Sequence, residues 1–255
     1  MILEKFSLEG RCGIVTGAGS GIGKGMARGL AEAGAKVALA GKNVGKVEAA
    51  AGEMNRAGLK AFPYQVDVAE EGSIRGLVES VVRDLGKIDF LFNNAGTIYR
   101  APVQDLPPAE WERVVKVNLT GPFLLSQAVA RHMIEKGIRG CIVNTSSLIA
   151  VFGGVTVPAY AATKGGLTQL TKSMCNDLAK YGIRVNAIGP GWVKTEMTKA
   201  LRENSGRFQA ISDRIPLGRW ADPEDLAGLA VFLASDASSY ITGQVVFIDG
   251  GYLAM

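Results

Sequence analysis

One glycine-rich stretch constrains the fold of this chain more than any other part of the sequence. It reads TGAGSGIG, from Thr16 to Gly23, and it lies between a short apolar run, RCGIVT, and a segment of helical periodicity that ends near Gly34. The order strand, glycine turn, helix lets a pyrophosphate approach the backbone closely, and the helix N-terminus favours its charge. Such a turn can also be only a turn, but this context predicts a dinucleotide pocket. Its predicted lining residues are Gly17, Ser20, Gly21, Ile22 and Gly23.

Apolar runs that read as strands alternate with helical segments along the rest of the chain. This alternation predicts parallel strands joined by crossover helices, with ligands bound at the carboxyl ends of the strands. The expected fold class is α/β, a single Rossmann-type doubly wound parallel sheet of about seven strands with helices on both faces. We expect one dinucleotide-binding and catalytic domain over residues 1–255, in which the charged residues 196–219 form a helical flap over the substrate.

Composition excludes several classes of function. The 255 residues are 47% hydrophobic, which is enough for a sizeable core. The 28 basic and 24 acidic residues give a net charge of only +4 and do not cluster, so neither nucleic acid nor a membrane is indicated as a partner. Cys12, Cys141 and Cys175 are widely spaced, which favours buried thiols over disulfides or metal ligands. The first residues lack the apolar region of a secretory signal, so we expect a cytoplasmic protein with no metal.

The end of the second predicted strand, KVALA, bears on the choice of cofactor. An acidic residue after this strand would bind the adenosine ribose, whereas a basic one would attract a 2′-phosphate. The sequence places Lys42 there and no acid, which favours NADP(H) over NAD(H), although Lys42 can also be a solvated surface lysine. Asp67 and Val68 end the third strand, where Asp67 can bind the adenine amino group or cap the following helix.

Two further strand ends supply loops that suit a cofactor. The run from Ile88 to Phe92 leads into NNAG, whose small residues and amides predict contacts at Asn94, Ala95 and Gly96. The run IRVNAI leads into GPGWVKTEM, a proline and glycine turn in which a threonine can bind a carboxamide. Ordinary turns are the alternative at both places. The cofactor contacts predicted in the second loop are Pro190, Gly191, Val193 and Thr195.

Tyr160 and Lys164 are the clearest pair of chemical groups. They are four residues apart in a predicted helix after Pro158, so both project from one face. A phenol alone titrates near pH ~10, and a neighbouring ammonium group lowers that pKa. Ser147 ends the strand-like run CIVNTSS, where its hydroxyl can hold a substrate oxygen. Such pairs and strand-end serines are also common structural features, and the cofactor pocket in the same chain is what favours catalysis.

Asn118 lies inside a predicted long helix, within residues 108–136. Asn is a poor residue for a helix interior, and Gly121 with Pro122 can bend the helix there. Because an asparagine destabilises a helix interior, we expect Asn118 to have a role there, such as binding a water molecule or the backbone. His132, the only histidine, has no acid or nucleophile pattern beside it, so we assign it a surface or interface role.

As a set, these motifs resemble the short-chain dehydrogenase/reductase family. TGAGSGIG, NNAG, Asn118, Ser147, the YAATK of Tyr160 to Lys164, and the PG at 190–191 occur in the order and spacing of that family across essentially the whole chain. The resemblance implies that Tyr160 is the general acid or base and that Lys164 lowers its pKa and binds the nicotinamide ribose. It implies that Ser147 orients the substrate oxygen and that Asn118 holds a water in a proton relay. An NAD(P)-dependent enzyme that interconverts a secondary alcohol and a ketone, usually as a homotetramer, is therefore expected.

The start of the chain, the segment around Tyr160, RIPLGRW and the DGGYLAM ending resemble the branch that contains gluconate 5-dehydrogenases and 2-deoxy-D-gluconate 3-dehydrogenases. This resemblance implies a sugar acid as substrate, and a carboxylate would need a basic partner. Ordinary surface arginines are the alternative. The substrate contacts predicted are Arg100, Ser147, Trp192 and Arg214.

Three other functions fit parts of the sequence. A reductase of 3-oxoacyl groups on a carrier protein would need a basic docking patch, part of which Arg131 and Lys172 could supply. A broad-specificity sugar or polyol dehydrogenase would share the same catalytic residues. A non-catalytic dinucleotide sensor would keep the glycines but typically lose Tyr160 or Lys164, and both are present.

Overall fold

The computed structural model describes residues 1–255 and contains one seven-stranded sheet in which every strand pair is parallel. Each strand has four to seven residues, and the order across the sheet is β3-β2-β1-β4-β5-β6-β7. The strands are β1 Cys12–Thr16, β2 Lys36–Gly41, β3 Lys60–Gln65, β4 Phe90–Asn93, β5 Cys141–Thr145, β6 Arg184–Pro190 and β7 Val245–Ile248. The predicted doubly wound sheet is confirmed.

The chain forms nine α-helices. They are α1 Gly21–Glu32, α2 Val44–Arg56, α3 Glu71–Leu85, α4 Pro108–Val115, α5 Gly121–Glu135, α6 Pro158–Leu178, α7 Lys199–Glu203, α8 Ser205–Ser212 and α9 Ala227–Ala234. Buried residues of α1, α2 and α9 pack on one face, and those of α3, α5 and α6 pack on the other. Because both faces are covered, the central strands are apolar throughout and show no alternation. None of the helices is long and apolar enough to cross a bilayer.

The strand order reverses direction between β1 and β4, because the chain first adds β2 and β3 on one side and then crosses to the other. A crevice forms at such a switch point, at the carboxyl ends of the strands. Here these ends bring together the glycine turn after β1, the NNAG loop after β4, Ser147 after β5 and the GPGW loop after β6. All the motifs of the predicted site therefore share one edge of the sheet.

The long helix predicted within 108–136 is present, but its irregularity differs from the predicted bend. Residues Lys116–Thr120 form a π turn that joins α4 to α5, and Asn118 is buried inside it. Gly121 and Pro122 then open α5 without breaking it. π turns inside helices widen the backbone and are often found at functional sites. The unfavourable asparagine thus coincides with a widened turn and not with a kink.

Several other boundaries and roles also differ from expectation. Asp67 does not cap the next helix, because α3 begins at Glu71 and the carboxylate instead accepts a hydrogen bond from the backbone N–H of Ala69. The last strand, β7, ends at Ile248, and residues 250 and 251 after it have positive φ. His132 is buried in α5, so its assignment to the surface is wrong. The three cysteines are free and buried.

A third apolar cluster packs at the carboxyl edge of the sheet and involves residues 196–219. A short 3₁₀ turn, α7 and α8 occupy this segment, and their buried side chains meet an aromatic wall. In that wall the rings of Trp192 and Trp220 are 5.4 Å apart, and the ring of Tyr252 lies 6.1 Å from that of Trp192. The other members of the cluster include Leu148, Leu201, Ile211 and Ile215.

Candidate active site

Asn118 links the π turn to the loop after β4 through hydrogen bonds. Its side-chain oxygen accepts a hydrogen bond from the Thr97 N–H at 2.8 Å, and its amide donates to the Thr97 carbonyl at 2.8 Å. The same amide also donates to the hydroxyl of Thr163 in α6 at 3.3 Å. The predicted backbone binding is observed. Asn118 therefore holds the cofactor-side loop, the π turn and the helix of Tyr160 in one arrangement.

Ser147 and Ser146 follow β5 and have different surroundings. The Ser146 hydroxyl lies 2.8 Å from that of Thr168 and is used inside the protein. The Ser147 hydroxyl lines the cavity described below and accepts one hydrogen bond, from the Ile149 N–H at 3.2 Å. An accepted bond leaves the hydroxyl proton free to be donated. Ser147 thus caps its own loop and still has a donor for an oxygen in the cavity.

Lys164 is buried on α6, close to the ring of Tyr160. Its ammonium donates to the Thr145 carbonyl at 2.6 Å and lies 5.4 Å from the centre of the Tyr160 ring. Burial lowers the pKa of Lys164 to about 8. The bond to the end of β5 fixes the direction in which this side chain points.

The pKa of the Tyr160 phenol also depends on its other surroundings. Burial raises the pKa of Tyr160, whereas the nearby Ser147 hydroxyl and the charge of Arg100 lower it. Arg100, which sequence reasoning assigned to the substrate, is thus a further cation that acts on the phenol. A buried group with a perturbed pKa beside a hydroxyl and a cation is typical of a catalytic acid or base.

A cavity of about 320 Å³ opens in front of Tyr160 and Ser147. Both predicted arginines, Arg100 and Arg214, line it, and so does Trp192. Sequence reasoning missed Arg207 of α8 and Tyr252, which also line the cavity. The only available indication of Arg207 was its place in the expected flap. No Asp or Glu lines this cavity.

A second groove, of about 650 Å³, runs along the same edge beside the glycine turn. The Thr16 hydroxyl connects the glycine turn to the NNAG loop here, because it accepts hydrogen bonds from the N–H groups of Asn94 and Ala95 at 2.9 and 3.0 Å. Lys42 pairs with Asp67 at 2.7 Å at the far end of this groove. Besides Lys42 and Asp67, four predicted cofactor residues line the groove: Gly17, Val68, Ala95 and Gly96. Asn94 adjoins it through its bond to Thr16.

The remaining predicted cofactor residues lie in different surroundings: in the substrate cavity, beside the glycine turn, at the surface or in the core. Gly191 lines the substrate cavity, and Thr195 lies beside Gly21, where an added Cβ would be 3.2 Å from its methyl group. Ser20 is exposed before α1. The Val193 side chain packs in the core, so this residue can offer a cofactor only its backbone. Pro190 is buried at the end of β6, and Ile22 is partly buried in α1.

The glycine turn has the shape that a pyrophosphate needs. Gly17 and Gly21 adopt φ values of 66° and 52°, which side chains disfavour. A Cβ on Gly23 would lie 2.4 Å from the Gly17 carbonyl and 2.5 Å from the Asn94 amide. The backbone of the turn, the start of α1 and the NNAG loop thus meet without room for a methyl group. The residues present fit a dinucleotide.

The Gly23→Ala variant should therefore lose cofactor affinity. The methyl group would displace the turn from Asn94 or from α1, and we expect the dissociation constant for the preferred dinucleotide to rise at least about tenfold. Equilibrium binding measured by titration would check this value. Gly76→Ala is the matched control, because a Cβ at this position of α3 meets no atom within 4 Å. Equal cofactor affinity in the two variants would contradict the fit.

Comparison with known proteins gives the class of the chain. A family model described as enoyl-(acyl carrier protein) reductase matches residues 17–253. Together with the relatives below, this match shows that the chain belongs to the short-chain dehydrogenase/reductase family, as the motifs predicted.

The relatives are more specific than the family model. The chain is 45% identical to a 2-dehydro-3-deoxy-D-gluconate 5-dehydrogenase of Pseudoalteromonas atlantica, over 99% of each chain. It is 41% identical to a 5-keto-D-gluconate 5-reductase of Escherichia coli strain K12, over 98% of each. A crystal structure of a gluconate 5-dehydrogenase from Burkholderia cenocepacia, in complex with NADP and tartrate, matches with a TM-score of 0.96 and 41% identity over 100% of both chains.

Proposed function

We propose that the protein is an NAD(P)-dependent oxidoreductase that interconverts a secondary alcohol and a ketone on a sugar acid, such as gluconate and its 5-keto form or a deoxy-gluconate. The observation that carries this proposal is the cavity in which Tyr160 and Ser147 face three arginines and no carboxylate. A cavity with this charge favours a polyhydroxylated anion over a neutral polyol. The names of the relatives support the same class of substrate.

Each polar residue then has a task at a named atom. Tyr160 moves the proton of the alcohol through its phenol oxygen, and Ser147 donates a hydrogen bond to the same substrate oxygen. Lys164 binds the nicotinamide ribose, with its direction fixed by the Thr145 carbonyl. Asn118 holds the backbone of Thr97 and thereby positions the part of the site through which the proton is relayed. When bound, the nicotinamide accepts or donates the hydride.

The test is an absorbance assay of reduced cofactor with purified protein. NAD⁺ and NADP⁺ are compared with gluconate, 2-deoxy-gluconate and neutral polyols, and the reduced cofactors are compared with 5-ketogluconate and an acetoacetyl thioester. Preferred turnover of a sugar acid would support the proposal. Turnover of the thioester alone would replace it with the reduction of 3-oxoacyl groups.

The 3-oxoacyl alternative lacks the charged surface that it needs. Arg131 lies in a groove between α3 and α5 that holds as many glutamates as arginines, namely Glu71, Glu79 and Glu135 with Arg75, Arg83 and Arg131. These carboxylates offset the basic charge that an acidic carrier protein would recognise. Lys172 alone, on α6, is too little for a docking patch.

Lys42 supports NADP(H) as the preferred cofactor, with NAD(H) as the alternative. Its ion pair with Asp67 raises the pKa of Lys42 and lowers that of Asp67, but Lys42 remains exposed. Exposed ion pairs contribute little, so Lys42 can exchange Asp67 for a 2′-phosphate, which offers more charge and more acceptors.

The Lys42→Ala variant should therefore bind NADP⁺ about tenfold more weakly and NAD⁺ with nearly unchanged affinity. The measurement is the dissociation constant of each cofactor. Lys60→Ala is the matched control, because Lys60 is also an exposed lysine in an ion pair, with Glu9. It lies at the amino end of β3, whereas Lys42 follows the carboxyl end of β2. A parallel loss of both cofactors, or no loss of NADP⁺, would assign Lys42 to the solvated surface.

We further propose a cytoplasmic homotetramer with one domain, in which residues 196–219 cover the substrate. The family expectation and the apolar residues within 124–130 and 167–178 support assembly through the long helices. Phe123 and Ile134 are large apolar side chains exposed on α5, which is consistent with packing between subunits.

A further inference from the structure

The three arginines of the substrate cavity differ from most others in the protein because no carboxylate neutralises them. Arg113 and Arg219, for example, pair with nearby acids at 2.7 and 2.6 Å. Arg100, Arg207 and Arg214 form no ion pair, and they gather around a cavity whose lining has no acid. Like charges held together without a counter-ion are unfavourable unless an anion joins them.

Arg100 and Arg207 reach the cavity from two different segments of the chain. Arg100 lies in the loop after β4, and the next residue of that loop donates a backbone hydrogen bond at 2.9 Å to the carbonyl of Thr156, in the loop before α6. Thr156 is the only non-glycine residue with positive φ, so this anchor is conformationally specific. Arg207 lies in the first turn of α8, which Asn204 caps by accepting a hydrogen bond from the Arg207 N–H.

The two guanidinium groups are close enough to influence one another. Burial lowers the pKa of Arg100, and the charge of Arg207 lowers it further. Arg214 is held differently, with its guanidinium 4.4 Å above the ring centre of Tyr252. Stacking on an aromatic face engages a guanidinium in a cation–π contact, so Arg214 serves more as part of the wall.

We propose that Arg207 and Arg100 form a two-arginine clamp that binds the substrate carboxylate across the cavity and makes Arg207 a specificity-determining residue. The clamp rests on the proposed sugar-acid function and adds the residue that selects the acid over its neutral counterparts. A carboxylate accepts paired hydrogen bonds from a guanidinium fork and removes the repulsion between the two cations. Because Arg207 belongs to α8, binding of the carboxylate also draws residues 205–212 towards the loop of Arg100.

The test compares gluconate with gluconamide, a neutral compound of nearly the same shape. In the Arg207→Ala variant, we expect the KM for gluconate to rise about ten- to a hundredfold, with kcat changed less than about threefold. The KM for gluconamide and the dissociation constant of the cofactor should not change. Arg207→Lys should recover part of the loss, because lysine keeps the charge but not the fork.

Two controls distinguish the clamp from a structural role. Lys199→Ala changes an exposed residue of α7 that does not line the cavity and should have no effect. In a double-mutant cycle, Arg100→Ala should cost much less once Arg207 is absent, since both bind one carboxylate. An unchanged KM for gluconate in Arg207→Ala, or equal losses for gluconate and gluconamide, would overturn the clamp and leave the proposed function intact. A wild-type protein that turns over only neutral polyols or thioesters would overturn both.

Discussion

Replacing Tyr160 by Phe should lower kcat by about a hundredfold to ten-thousandfold and leave cofactor affinity nearly unchanged. The ring is retained, so the change removes only the oxygen that exchanges a proton with the substrate. Ser147 remains able to hold a substrate oxygen, and the only other phenol of the cavity lining, Tyr252, is covered by the guanidinium of Arg214. The arginines are permanently protonated and cannot act as a base. The measurement is steady-state turnover, with the cofactor dissociation constant measured on the same sample.

The control for this variant is Tyr181→Phe, which changes an exposed tyrosine just beyond the end of α6. It should keep wild-type turnover. If the Tyr160→Phe variant retained more than a few per cent of the activity, the assignment of Tyr160 as acid or base would fail, while the family and fold would remain.

The Lys164→Met variant should be inactive and, near pH 7, more stable than the wild type in the absence of cofactor. Burial lowers the pKa of Lys164 from 10.5 to about 8, which corresponds to a free-energy cost of roughly 3 kcal/mol for keeping the ammonium charged in the folded protein. Methionine removes that cost. It also leaves the Thr145 carbonyl without its donor, which destabilises the folded protein by about 1 kcal/mol. The net gain in the free energy of unfolding should be about 1–3 kcal/mol.

The sign of the pH dependence follows from the two pKa values. Below pH 8 the lysine is protonated in both the folded and the unfolded chain, so the full cost is present. Between pH 8 and 10.5 the unfolded chain binds more protons than the folded chain, and wild-type stability rises relative to the variant. Urea unfolding of both proteins at pH 7 and pH 10 would measure this narrowing gap. Lys180→Met, at an exposed position, should show no such gap. A Lys164→Met variant less stable than the wild type at pH 7 would contradict the argument.

These two variants separate what the sequence could predict from what required the fold. The glycine turn, the NNAG loop and the apolar runs predict the sheet because each obeys a local rule, and the rules agree with one another. Tyr160 and Lys164 share a helix, so their nearness is also local. That Arg100 also acts on the phenol depends on burial and on a distant loop, and no local pattern contains that information.

The residues that sequence reasoning missed share this origin. Arg207 enters the cavity because α8 folds back over the carboxyl edge of the sheet, and Tyr252 does so because the chain turns after β7 at glycines of positive φ. The π turn around Asn118 likewise depends on the backbone bonds to Thr97. Val193 is the opposite case. Its motif predicted a contact with the cofactor, but its side chain packs in the hydrophobic core. The catalytic roles stay predictions until the variants are measured.

The aromatic wall at the edge of the cavity gives the protein an optical reporter of its own. The chain has three tryptophans; Trp192 and Trp220 lie within this wall, and Trp111 lies half-exposed on α4. Trp220 also stacks on Phe208, the neighbour of Arg207 in α8. Movement of α8 towards a bound carboxylate would therefore change the surroundings of two indoles at once. The tryptophan fluorescence of an unlabelled Trp111→Phe protein thus comes entirely from Trp192 and Trp220, on the substrate side of the molecule.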